Sequence, residues 1–156
     1  MTRRSIHAYK ADQVSKAQID TIMKCAILAP SANNKQPWEV RIVQNPDMLK
    51  KLNDIKSVFY NAPTFIFVAR DVNNPTSASD CGMLSQNILL SAHAMGLGTC
   101  VIGSIVPVIN DPKAKEVKDA LQFSEGYEIM YGIALGYGNE TPQVKDRDAT
   151  KVKYID

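Results

Sequence analysis

At 156 residues the chain has the length of one domain, long enough to bury a core and too short for a dehydrogenase with separate cofactor and substrate domains. With 45% hydrophobic and 22% charged residues it has the balance of a packed globular protein rather than a fibre or a disordered tail. A formal net charge of +2, spread along the chain, provides no broad basic face, so nucleic acid is not an expected partner.

The chain opens on Arg3-Arg4-Ser5-Ile6-His7, a run of anion-binding groups ahead of any regular structure. Two guanidiniums and a hydroxyl can hold a phosphate through charge-assisted hydrogen bonds, with Ile6 as an apolar anchor; a solvated basic terminus is the alternative. The apolar segment of a secretory signal is missing, and no apolar run reaches the ~18 residues of a membrane helix. A cytoplasmic protein without a membrane partner is therefore expected.

Ser15 and Gln18 form a capping-box signature, and Ile19, Ile22, Met23, Ala26 and Ile27 recur on one helical face until Pro30. The loop Ala29-Pro30-Ser31-Ala32-Asn33-Asn34-Lys35-Gln36-Pro37 combines small residues, amides and two stiffening prolines. Such a loop brings backbone close to a flat ring, and Asn34 offers both donor and acceptor to an imide-like edge; a plain helix-to-strand connection is the alternative. Trp38, Val40 and Ile42 then alternate with Glu39 and Arg41, the pattern of a strand with its apolar face buried. Asn45 and Pro46 read as cap and first position of a short helix carrying Met48, Leu49 and Leu52.

Phe65 to Ala69 is a continuous apolar run, expected as an interior strand. After a polar loop from Asn73 to Ser79, residues 80–95 form a helix apolar nearly all round, which a second subunit would help to bury. His93 within it reads as a satisfied buried histidine. Gly96 stands where a left-handed helix terminator is wanted, with Leu97 as its apolar follower. Thr99 to Ile102 is a short strand, Asp111 and Pro112 cap a helix through Leu121, and Tyr127 to Leu135 is the last apolar strand. The polar tail 139–156 ends in a weak alternation, Val152 to Ile155, and is expected to contact a partner subunit.

Gly96-Leu97-Gly98 follows a helix and precedes a strand, the reverse of a dinucleotide-binding fingerprint, so that fold is excluded. Gly103 and Ser104 at the strand's end can present bare N–H groups to a ligand; a plain turn is the alternative. Cys25, Cys81 and Cys100 lie far apart with no metal-ligand spacing and read as buried thiols, so no metal is expected.

Taken together, Arg3-Arg4-Ser5, Pro30-Ser31-Ala32 with Asn34, Gln36, Pro37 and Trp38, Asp80 opening the Gln86-to-Ala92 helix into Gly96-Leu97-Gly98, and Leu135-Gly136-Tyr137 resemble the nitroreductase family of FMN-dependent oxidoreductases. The matches run from Arg3 to about Arg147. The resemblance implies a single α+β domain over 1–156, a three-layer sandwich with a mostly antiparallel sheet flanked by helices, in an interlocked homodimer. It implies that Arg3, Arg4 and Ser5, joined by Arg147 or Lys145, hold the FMN phosphate and ribityl side. Pro30, Ser31, Ala32, Asn34 and Gln36 would reach the partner's isoalloxazine, and backbone at Ile102 and Gly103 would face flavin N5. No side chain stands out as a catalytic acid or base.

The implied reaction passes hydride from NADH or NADPH through the flavin to a small oxidised acceptor, such as a nitroaromatic or quinone, by a ping-pong mechanism. His7 occupies a position that is commonly arginine or lysine in the family, and is expected to make the flavin potential depend on pH. The loop between Val68 and Asp80 is short, leaving an acceptor slot either open or completed by the partner. A flavin storage or sensor protein, a specialised reductive dehalogenase-type or flavin-fragmenting relative, and a flavin-free interaction domain are the competing readings.

Overall fold

The computed structural model describes residues 2–155. Its elements are α1 (Lys16–Ala26), β1 (Trp38–Val43), α2 (Pro46–Ile55), β2 (Thr64–Asp71), α3 (Ser77–Ala94), β3 (Gly98–Ile102), α4 (Ile105–Ile109), α5 (Lys115–Ala120) and β4 (Tyr127–Gly136). The strands form one antiparallel sheet in the order β1-β2-β4-β3.

The alternation of β2 explains the layers. Phe65, Phe67 and Ala69 point to one face, into a core with α2, α4 and α5; Ile66 and Val68 point to the other, against α1 and α3. Helices thus cover both faces of the sheet, the expected α+β sandwich. Phe65 crosses directly beneath β4, where a Cβ on Gly132 would stand 2.1 Å from its ring, so this close approach requires glycine.

Local signals act as the residues dictate. Ser15 and Gln18 form both halves of the capping box, and Asn45 accepts from the Asp47 and Met48 N–H groups ahead of α2. Gly96, at φ 76°, ends α3 while Leu97 N–H donates to Ala92 O at 2.9 Å. No helix among the described residues is long and apolar enough to cross a membrane.

Several expectations are corrected. In β1 the apolar face is not cleanly buried: Ile42 is exposed, because β1 is an edge strand and that face outruns its helical cover. Its polar face is the better covered one, since Arg41 donates to Leu121 O and Gln122 O at 2.7 Å each, pairs with Glu39 at 2.7 Å and lies over the Phe123 ring. The expected helix from Pro112 to Leu121 is a 3₁₀ turn followed by α5, and a further short helix, α4, stands between β3 and that turn. Helix α3 begins at Ser77, within the expected polar loop. His93 is half-buried and satisfied by Thr2, with Oγ1 and Nε2 2.9 Å apart. Cys25 is half-buried, whereas Cys81 and Cys100 are buried. Val152 to Ile155 form no strand and stand exposed after a 3₁₀ turn at Ala149–Lys151.

Candidate functional site

The N-terminal segment is stitched into the sheet. Ser5 bridges to Thr99 of β3, Ile6 N–H donates to Thr99 O at 3.0 Å, Lys10 N–H to Tyr137 O at 2.9 Å, and His7 N–H to the Glu140 carboxylate. The Ile6 side chain fills the space over Gly98, where a Cβ would come within 2.8 Å of it.

With Ile6 anchored, Arg3, Arg4, Ser5 and His7 line a cavity of about 380 Å³ whose other wall is the tail, including Lys145 and Arg147. Three guanidiniums, an ammonium, a hydroxyl and an imidazole thus meet around one space. Arg147 is oriented by its own backbone, donating to Lys145 O at 3.0 Å and Asp146 O at 3.2 Å. Such a donor set suits a dianionic phosphate ester.

The groups beneath add little opposing charge. Burial pushes the Cys100 thiol up, against the lowering influence of Ser5 and Arg3. Burial likewise raises the Tyr9 hydroxyl far above its ordinary value, with Cys100, Glu140 and Tyr60 adding to the effect. At the rim, the His7 ring packs on Tyr60.

The second part of the site is backbone. Thr99 O turns outward to Ile6, so by strand alternation the N–H and C=O of Val101 turn the same way, to an edge that no strand among the described residues covers. Ile102 is buried while Val101 and Gly103 are exposed, and a Cβ on Gly103 would meet nothing within 4 Å. From Val101 to Gly103 this open track is about 7 Å long at ~3.3 Å per residue.

The structure sets the loop apart from this cavity. Pro30, Asn34 and Gln36 are exposed, and Ser31 and Ala32 half-buried. Asn33, Asn34 and Gln36 hold φ of 52°, 56° and 49°, a left-handed geometry set by the turn itself: Ser31 Oγ accepts from Gln36 N–H at 2.9 Å and Ser31 O from Asn34 N–H at 2.9 Å. An apolar surface adjoins it. Met83, Asn87 and Leu90 share a face of α3, Asn87 Nδ2 donates to Cys25 O at 3.0 Å, and Ile27 and Leu28 (79% exposed) follow at the end of α1.

The sequence reading missed Tyr60 and Glu140, which reach the site from distant positions without a local motif. Tyr60 and Asn61, at φ 56° and 55°, form a strained turn just before Pro63, and such a turn is the one available signal.

The model of the nitroreductase family matches residues 1–57 and 55–137. A protein of Archaeoglobus fulgidus, provisionally named NADH dehydrogenase/NAD(P)H nitroreductase, is 32% identical over 94% of this chain and 87% of its own length. The NADPH-flavin oxidoreductase of Vibrio harveyi is 28% identical over 94% of this chain and 67% of its own. The crystal structure of a nitroreductase with bound FMN from Desulfitobacterium hafniense superposes with a TM-score of 0.89 at 28% identity, covering 99% of this chain and 95% of that one. Joined to the likeness of fold, these matches identify the chain: it belongs to the nitroreductase family.

Proposed function

We propose that this chain is an FMN-dependent NAD(P)H oxidoreductase, working as a homodimer on a small oxidised acceptor such as a nitroaromatic or a quinone. The carrying observation is the cavity shared by Arg3, Arg4, Ser5, His7, Lys145 and Arg147, which is joined to β3 through the Ser5 to Thr99 bridge. A phosphate ester fits the cationic end. A ribityl chain and flat ring fit the stretch of β3 toward Gly103, where the outward N–H and C=O of Val101 can meet a ring edge.

Within this reading Arg3, Arg4, Lys145 and Arg147 neutralise and orient the phosphate, and Ser5 donates to it. His7 adds an imidazole to the cavity wall, its ring packed on Tyr60 at the rim. Pro30, Ser31, Ala32, Asn34 and Gln36 act on the second subunit's site, which agrees with their separation from this chain's own cavity. The apolar surface of Ile27, Leu28, Met83 and Leu90 is what a second copy would cover. Bound FMN would take hydride at N5 from NADH or NADPH and pass it to an acceptor in the same slot, a ping-pong cycle.

The test is the visible spectrum of the protein with FMN, before and after anaerobic NADH or NADPH. A flavin spectrum that bleaches and returns when menadione or a nitroaromatic is added supports the reading and names the donor. Bound flavin that stays oxidised with both nucleotides would favour a storage or sensor protein, and failure to bind FMN would overturn the proposal.

A further inference from the structure

Asp80 lies in the first turn of α3 with only 3% of its surface exposed, and the cationic cavity does not include it. It forms none of the ion pairs among the described residues. A carboxylate this buried requires donors. Its Oδ2 has two: the Thr76 hydroxyl at 3.0 Å and, across 48 positions of sequence, the Ala32 N–H at 3.4 Å.

The second contact stands out because of what it holds. The loop through Ser31, Ala32 and Asn34 is closed by its own hydrogen bonds, from Asn34 N–H to Ser31 O, from Lys35 N–H to Ala32 O and from Gln36 N–H to Ser31 Oγ. Those bonds fix the shape of the turn but not its position on the protein. Pro37 ties the far end, its carbonyl accepting from Asp71 N–H at 3.1 Å. Between Ala29, buried at the near end, and Pro37, the Ala32 N–H to Asp80 contact joins the middle of the loop to the helical layer. Thr76 is itself steadied, since its backbone N–H donates to Asn74 Oδ1 at 3.0 Å.

We infer that Asp80 is a positioning residue for flavin binding: its buried carboxylate anchors the Ser31–Asn34 loop in the place from which it meets the flavin ring. The inference rests on the flavin reading above, and adds a residue whose effect runs through the Ala32 backbone rather than through contact with the ligand. A side chain at Ala32 need not take part, because the donated group is main chain.

The test compares the wild type, Asp80→Asn and Asp80→Ala, using FMN and riboflavin as probes. The expected dissociation constants rise in the order wild type, Asn, Ala, reaching about tenfold for Ala, the scale of a lost bond to a charged group. The factor is the same for both flavins, because the anchor acts on the ring side and not on the phosphate. The visible spectrum of the bound flavin shifts toward that of free flavin. In flavin-free protein the amides of residues 31–36 exchange faster, while those in the middle of α3 stay protected.

Equal affinities in all three proteins would overturn the assignment, as would a loss seen with FMN but not with riboflavin. If Asp80→Ala yields no folded protein, Asp80→Asn decides the matter, and loop amides exchanging as in the wild type overturn it. A wild type that binds neither flavin would defeat the proposed function alone, since exchange in the flavin-free protein still reads the anchor.

Discussion

His7 lies against Tyr60 with ring centroids 4.6 Å apart and planes tilted by 52°. An imidazole at the mouth of a cationic cavity is thereby held by a ring 53 positions away, and its backbone N–H is held by Glu140. The histidine is a fixed part of the site, held by Tyr60 and Glu140 beside the cavity it shares with Arg3, Arg4, Lys145 and Arg147.

Replacing His7 with alanine removes the ring that packs on Tyr60 and one wall of the cationic cavity. His7→Ala should weaken FMN binding by about fivefold, the scale of one lost hydrogen bond. Fluorescence titration of the two proteins checks it, and equal affinities would remove His7 from the account.

Arg3→Ala and Arg147→Ala should each weaken FMN binding by about tenfold or more, the scale of lost bonds to a charged group. Riboflavin, which lacks the phosphate, should lose little. Fluorescence titration with both ligands separates the two ends of the site, and an equal loss for both would show that these arginines do not meet the phosphate.

Arg41 joins β1 to the turn after α5 through Leu121 O, Gln122 O, Glu39 and the Phe123 ring. Arg41→Ala should cost about 2–3 kcal/mol, since it leaves two carbonyls without their donor and the Glu39 carboxylate with Ser124 alone. That corresponds to a Tm drop of about 4–10 °C, and Arg41→Lys should restore little of it because an ammonium lacks the fork geometry.

Glu39 gives the same corner a dependence on acid. Burial alone would raise its carboxyl, but hydrogen bonds from Ser124 and the Arg41 charge outweigh it and hold the group below the ordinary glutamate range. Its stabilisation is thus complete above that range and is lost as pH falls through the lowered value. Glu39→Gln should be less stable than the wild type at neutral pH, and the gap should narrow on acidification in thermal melts.

Leu28→Asp and Leu90→Glu change exposed side chains and should leave the monomer fold within about 0.5 kcal/mol. In analytical ultracentrifugation they should shift the protein toward monomer, and FMN affinity should fall with the dimer. Variants that remain dimeric would move the interface to another face.

The parts of the fold that were legible in the sequence are those dictated by neighbours. Ser15 and Gln18 cap one another three residues apart, Gly96 ends its helix, and the Phe65-to-Ala69 run is a central strand because it is apolar on both faces. What escaped was set by distant partners. Ile42 has an apolar side chain whose cover never arrives within the chain, and Arg41 seeks carbonyls 80 positions away. Helix α4 contains Pro107, which reads as a breaker yet is tolerated in a first turn, where its missing N–H has no partner to lose. The site divides the same way: Arg3 to His7 are adjacent in sequence, whereas Tyr60, Asp80 and Glu140 acquire their roles only when the chain is folded.

The uncovered edge of β3 carries a risk as well as an opportunity. The outward N–H and C=O of Val101 are also a template on which a strand from another molecule can grow, and no lysine or proline between Gly98 and Gly103 blunts it. A ligand seated there would guard the edge by occupying it. Supply of cofactor and resistance to aggregation would then rise together, and preparations short of flavin should cloud on warming before fully loaded ones do.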